Sequence, residues 1–121
     1  MATSINDTEP HVRLSTNNTW QYRVGEGRWE GIDNNTLADT VDRGTQEVKL
    51  SIDTAKSNPV PVTVASDGFT VTPEGESDLD NDFKNWNITL EDEPSYGNSV
   101  TVTPTGTQIP VLTLTISMRG D

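Results

Sequence analysis

Apolar and polar residues alternate with a period of two over most of this chain. The alternation is clearest at residues 47–53, 86–90 and 112–118, where an apolar side chain occupies every second position. Successive side chains of a β-strand point to opposite faces, so the pattern predicts strands with one buried and one wet face. Clusters of Gly, Pro, Asn and Asp separate these runs every ~8–12 residues. The chain is therefore predicted to be all-β, an antiparallel β-sandwich of about eight or nine strands.

A β-hairpin is predicted near the start of this pattern. A tight turn centred on Glu26-Gly27 would pair Val24 with Trp29 and Arg23 with Glu30. The first pair is apolar and the second is oppositely charged, which favours this register.

The predicted hairpin would place three aromatic residues, Trp20, Tyr22 and Trp29, on one face with Val24. A face of that composition is favoured to be core, because large aromatic side chains are usually buried. If the face is exposed, it becomes an aromatic surface for binding a sugar or for forming an oligomer.

The remaining segments define the predicted domain organisation. Residues 1–10 are polar and unpatterned, so they are predicted to be a flexible N-terminal arm that orders on contact with a neighbour. Residues 11–121 are predicted to form a single β-sandwich domain. Within it, residues 36–41 fit either a short edge strand or one helical turn.

Several of these segments resemble known β-sandwich modules. Residues 20–24, Trp29 and residues 44–50 resemble the middle of an immunoglobulin-like or fibronectin-III-like module. Segments similar to bacterial and viral immunoglobulin-like repeats are residues 69–75, 86–90 and 100–103. The expected architecture is therefore an immunoglobulin-like or jelly-roll-like sandwich. The resemblance extends to the decoration proteins of tailed viruses, although the chain has no Cys for the immunoglobulin disulfide.

Composition and charge exclude several functions. The chain of 121 residues has 8 Lys and Arg against 19 Asp and Glu, a formal net charge of −11, and one His. An acidic surface repels phosphates, so nucleic acid is not an expected partner. No apolar run is long enough for a membrane-spanning helix, so no membrane insertion is expected. The composition, which is acidic, poor in Lys and rich in Thr, is similar to that of proteins adapted to high salt. An ordinary acidic domain is the alternative.

The sequence offers no catalytic constellation. His11 is isolated, and no phosphate loop, nucleophile elbow or paired-His motif occurs, so the protein is not expected to be an enzyme. The N-terminus lacks the basic and apolar regions of a secretory signal. If the protein works outside a cell, assembly in the host cytoplasm into a virus particle would carry it there.

One acidic segment could bind a metal ion. Asp78, Asp80 and Asp82 alternate in a predicted loop, and converging carboxylates are typical ligands of Ca²⁺ or another hard cation. The spacing does not fit an EF-hand, because Phe83 stands where the turn Gly belongs. A solvated acidic loop is the alternative, and no other cofactor is predicted.

These observations favour a non-enzymatic structural or assembly protein. The leading hypothesis is a virion protein, either capsid decoration or tail-associated, of a tailed virus with a halophilic or marine host. It predicts capsid or tail proteins as partners, homo-oligomers, and localisation in the virion. The alternatives are a cell-surface adhesion or carbohydrate-binding module, and a metal-dependent accessory domain of an enzyme.

Overall fold

The computed structural model describes residues 2–42, 44–45, 47–56, 60–67, 70–73, 80–83, 85–91, 98–104 and 108–118. These residues form twelve strands and one 3₁₀ turn at Asp33–Asn35. The strands are β1 (Thr3–Ile5), β2 (His11–Leu14), β3 (Trp20–Arg23), β4 (Glu30–Gly31), β5 (Thr36–Val41), β6 (Glu47–Thr54), β7 (Val60–Asp67), β8 (Thr70–Pro73), β9 (Asp80–Phe83), β10 (Asn85–Glu91), β11 (Asn98–Pro104) and β12 (Leu112–Met118). The strands outnumber those predicted from alternation, since β1 and β9 lie in polar segments without an apolar phase.

The strands form two six-stranded sheets. Sheet A has the order β1-β5-β12-β11-β7-β9, and sheet B has the order β4-β3-β2-β6-β10-β8. The prediction of wholly antiparallel sheets is wrong, because β5 runs parallel to both β1 and β12, and β2 runs parallel to β6. Parallel neighbours cannot be joined by a tight hairpin. Here the chain passes from sheet A to sheet B between β1 and β2, and again between β5 and β6.

The apolar phase of the strands forms a core between the two sheets. Its buried hydrophobic residues are Val12, Leu14, Trp20, Ile32, Leu37, Val41, Val48, Leu50, Ile52, Val62, Val64, Val100, Val102, Leu112, Leu114 and Ile116. Both sheets contribute to this cluster, so they pack face to face as a β-sandwich. The described residues contain no α-helix and no helix of the length and apolarity needed to cross a membrane.

The N-terminal segment is paired with both sheets in the structure. Thr3–Ile5 form the edge strand β1 against residues 37–39 of β5. Further along, the Thr8 carbonyl accepts a hydrogen bond of 2.9 Å from the Lys49 amide. The segment predicted as a flexible arm thus connects the edge of sheet A to sheet B.

Residues 36–41 are a strand rather than a helical turn. β5 lies between β1 and β12, and its side chains alternate so that Leu37, Asp39 and Val41 are buried. The strand therefore contributes two apolar side chains and one carboxyl group to the interior.

Candidate functional site

The hairpin between β3 and β4 turns one residue earlier than predicted. The Gly27 amide donates a 3.1 Å hydrogen bond to the Val24 carbonyl, which places the turn at Gly25-Glu26. Gly25 has a φ of +57°, a conformation that Gly adopts without the steric cost of a Cβ. The ladder then pairs Tyr22 with Glu30, so the returning chain holds one more residue than the outgoing chain. An extra residue of this kind is a β-bulge.

The bulge reverses the face on which Trp29 lies. The predicted pairing of Val24 with Trp29 is wrong by one residue, and a one-residue shift moves a side chain to the opposite face of a sheet. Trp20 is 2% exposed in the core, and Tyr22 packs against the core. Trp29 instead lies on the outer face of sheet B, and Val24 is 50% exposed.

Two arginines contact the Trp29 ring on this outer face. The guanidinium carbons of Arg13 and Arg23 lie 4.6 and 4.8 Å from the ring centroid. We call Arg13, Arg23 and Trp29 the guanidinium–indole cluster. The positions follow from strand alternation, because Val12 and Leu14 point inward from β2 and leave Arg13 on the outer side. A guanidinium stacked on an indole contributes about 0.5–1 kcal/mol at an exposed site.

Neighbouring strands hold the cluster in place. Arg13 lies opposite Gln21 in the ladder, and its Nε donates a 2.8 Å hydrogen bond to the Gln21 Oε1. Arg23 lies opposite His11, which adds a third group able to carry positive charge. Arg13 and Arg23 lie on paired strands, and Trp29 directly precedes β4, so the two guanidinium groups are held by the sheet.

An acidic residue, Asp53, lies beside these cations. Asp53 is opposite Arg13 in the pairing of β2 with β6. Burial raises the pKa of Asp53, while the nearby charges of His11, Arg23 and Arg13 act to lower it. Within the described residues, neither the Asp53 Oδ1 nor the Arg23 Nε has a hydrogen-bond partner, although both atoms are buried. The cluster therefore retains unpaired polar groups and a net positive charge on an acidic protein.

This arrangement suits recognition more than catalysis. Guanidinium groups stay protonated at neutral pH and bind carboxylates or phosphates, often through two parallel hydrogen bonds. The indole adds a flat apolar surface to the charged groups. The sequence favoured a core position for Trp20, Tyr22 and Trp29 together; this is correct for Trp20 and Tyr22 but wrong for Trp29. The two arginines were missed, since period-two alternation assigns them only to a wet face.

The predicted metal ligands are not brought together by any described contact. Asp78 lies outside the described residues, and so do the side chains of Asp80 and Asp82, whose backbone forms β9 beside β7. The segment from residue 80 is thus a strand rather than the predicted loop. Among the described residues, no group of three or more potential ligands could hold a metal ion. The calcium site stays a prediction.

A second unusual carboxyl group lies in the interior. Asp39 is 1% exposed, and its Oδ1 accepts a 2.8 Å hydrogen bond from the Asp7 amide. No partner for its Oδ2 occurs in the described part of the chain. Burial raises the pKa of Asp39 to about 7; the Asp7 amide acts to lower it and the Asp7 carboxylate to raise it. The signal was present in the sequence, because Asp39 stands in the apolar phase between Leu37 and Val41.

The fold and this site together define an all-β sandwich with two arginines and a tryptophan in contact on the outer face of one sheet. A scan against protein-family models finds no match for the chain, and no curated protein matches it.

Proposed function

We propose that this protein is a non-enzymatic assembly protein that docks through the outer face of sheet B. The setting we propose is a virion, as a capsid decoration or tail-associated protein of a tailed virus with a halophilic or marine host. The proposed fold type is an immunoglobulin-like or jelly-roll-like sandwich. Support comes from the acidic, Thr-rich composition and from the resemblance of the strand segments to viral immunoglobulin-like repeats.

The observation that carries the proposal is the guanidinium–indole cluster. Trp and Arg are enriched at the energetically dominant positions of protein interfaces. Here Trp29 contacts two arginines on a face whose neighbours, Gln21 and His11, are also polar. A surface built from permanently charged and aromatic groups provides affinity for a partner.

Purified virus particles provide the direct test. Density-gradient particles from the host culture should contain this protein by mass spectrometry, and recombinant protein should cosediment with particles that lack it. Arg23→Gln and Trp29→Ala should each weaken cosedimentation by about tenfold or more, as expected for residues that anchor an interface. Lys56→Gln removes the same single charge elsewhere and should leave cosedimentation unchanged. Absence of the protein from particles, together with no cosedimentation, would contradict the proposal.

A second candidate function is adhesion to a carbohydrate. The outward position of Trp29 favours it, since an indole face can stack on a sugar ring while the adjacent arginines bind a sugar carboxylate. The ligand class would be an acidic polysaccharide. Titration calorimetry with an oligogalacturonate should then give a saturable signal that Trp29→Ala abolishes, whereas a neutral oligosaccharide of equal length should give none.

A further inference from the structure

We propose that the guanidinium–indole cluster binds an acidic stretch of a second copy of this chain, in a head-to-tail contact. The inference rests on the proposed assembly function, because it names the partner of the same site. It assigns the docking surface to contacts between subunits, whereas the proposed function requires only that some partner docks there.

The charge of the chain argues for this occupant. The cluster presents Arg13 and Arg23, with His11 beside them, against the carboxyl group of Asp53. The whole chain carries 19 acidic residues against 8 basic residues. A second copy therefore offers abundant carboxylates to a cluster that is itself positive, and complementary charge guides both encounter and register.

The unpaired groups in the cluster argue for a carboxylate ligand. The Arg23 Nε is buried without a hydrogen-bond partner among the described residues, and Trp29 is half-buried beside it. The Arg23 side chain as a whole is only partly buried, so its guanidinium group can also donate to an acceptor that a ligand brings. Carboxylates accept from guanidinium groups with the most favourable geometry, and the indole shields such bonds from water.

The same charges argue against a two-fold axis that passes through the cluster. In a dimer about such an axis, Arg13 and Arg23 of one copy would face the same pair on its partner. Like charges brought together across an interface are unfavourable. A contact between the cluster and a different, acidic surface avoids this repulsion. Such a contact repeats from copy to copy, and it closes into a ring of three or more subunits or continues as a filament.

The first measurement is the oligomeric state of the full chain. Sedimentation velocity should be run at an ionic strength of about 0.15 M, where the Debye length is ~8 Å. Repulsion between distant charges is then screened, whereas direct contacts between charges persist. We expect mass to increase with concentration to three or more subunits. Arg23→Gln should weaken association by about tenfold or more. Lys56→Gln is the matched single-charge control and should associate like the wild type, and thermal melts check that both variants fold.

A mixing experiment separates the head-to-tail contact from a symmetric one. Arg23→Gln damages the cluster but keeps the acidic surface, so it should bind wild-type protein with nearly wild-type affinity and fail to bind itself. In a symmetric contact the mixed pair would instead lose about half of the binding free energy lost by the variant pair, and this result would overturn the proposal.

Three further results would overturn the inference. A dimer as the final species contradicts the head-to-tail contact. A wild-type monomer that cosediments with particles through Arg23 refutes self-association and leaves the proposed assembly function standing. Binding of oligogalacturonate at the cluster by a monomeric protein would assign the face to an acidic glycan instead.

Discussion

Replacing Asp39 with Asn should change the pH dependence of stability more than any other single substitution of a buried residue that the structure describes. Burial raises the pKa of Asp39 from its usual 3.8 to about 7, because the side chain is 1% exposed. Ile5 and Ile116 occupy the ladder positions on either side of Asp39. Ionisation therefore places a negative charge in a largely apolar environment.

The sign and size of the effect follow from the difference between the folded and unfolded pKa. Below about pH 4 the carboxyl group is protonated in both states, so it adds no pH-dependent cost. As the pH rises from about 4 to about 7, the unfolded chain ionises while the folded protein retains its proton, and stability falls. Above pH 7 the loss levels off at ~4 kcal/mol, from a shift of roughly three pKa units at 1.36 kcal/mol each.

The Asp39→Asn variant removes this titration and keeps an oxygen that can accept the hydrogen bond from the Asp7 amide. Urea unfolding should be measured at several pH values between 4 and 8.5 for the wild type, Asp39→Asn and the exposed control Asp67→Asn. We expect Asp39→Asn to gain up to ~4 kcal/mol relative to the wild type between the two ends of this range. A difference that stays constant across the range would refute the reasoning, and so would an equal gain in Asp67→Asn.

Four other measurements test the fold and the site. Trp20→Ala should lower the free energy of unfolding by ~3–5 kcal/mol and Trp29→Ala by ~1–2 kcal/mol, the sum of its two cation–π contacts. Equal losses in urea unfolding would contradict the observed register. Gly25→Ala should lower the free energy of unfolding by about 1 kcal/mol in the same assay, because the φ of +57° at Gly25 is unfavourable for a residue with a Cβ. An unchanged urea midpoint would argue against this turn. The Tm should rise from low to molar NaCl as the charge of −11 is screened, whereas a flat or falling curve contradicts adaptation to salt. If Asp80 and Asp82 help to bind Ca²⁺, millimolar Ca²⁺ should raise the Tm, and the rise should disappear in the variant that carries both Asp80→Asn and Asp82→Asn. No rise of the Tm with Ca²⁺ would contradict the prediction of a calcium site.

The sequence by itself determined most of the strands, although not β1 and β9, and the side chains by which the alternating strands line the core. Val48, Leu50 and Ile52 were predicted to share a buried face, and each is at most 1% exposed. The same holds for Leu112, Leu114 and Ile116. These predictions succeed because alternation is a local property of extended backbone, so burial of one side chain fixes the face of its neighbours two positions away.

Only part of the site was readable from the sequence. Trp20, Tyr22 and Trp29 were expected to be core, with an exposed aromatic surface as the alternative, and Trp29 instead contacts the two arginines on the outer face. The grouping with Trp20 and Tyr22 was wrong, since a single extra residue after Gly25 shifts the register by one. Nothing in the local pattern distinguishes a hairpin with this bulge from one without it.

Only the tertiary structure decided which strands are neighbours. Period two specifies the faces of a strand but not its partner or direction, so the parallel pairing of β2 with β6 could not be inferred. That pairing places Asp53 beside Arg13, and the pairing of β2 with β3 places Arg23 beside His11. Asp39 is interior because β5 lies between β1 and β12 instead of at an edge. The chain's alternation thus specifies a sandwich, while long-range pairing determines where its charges meet.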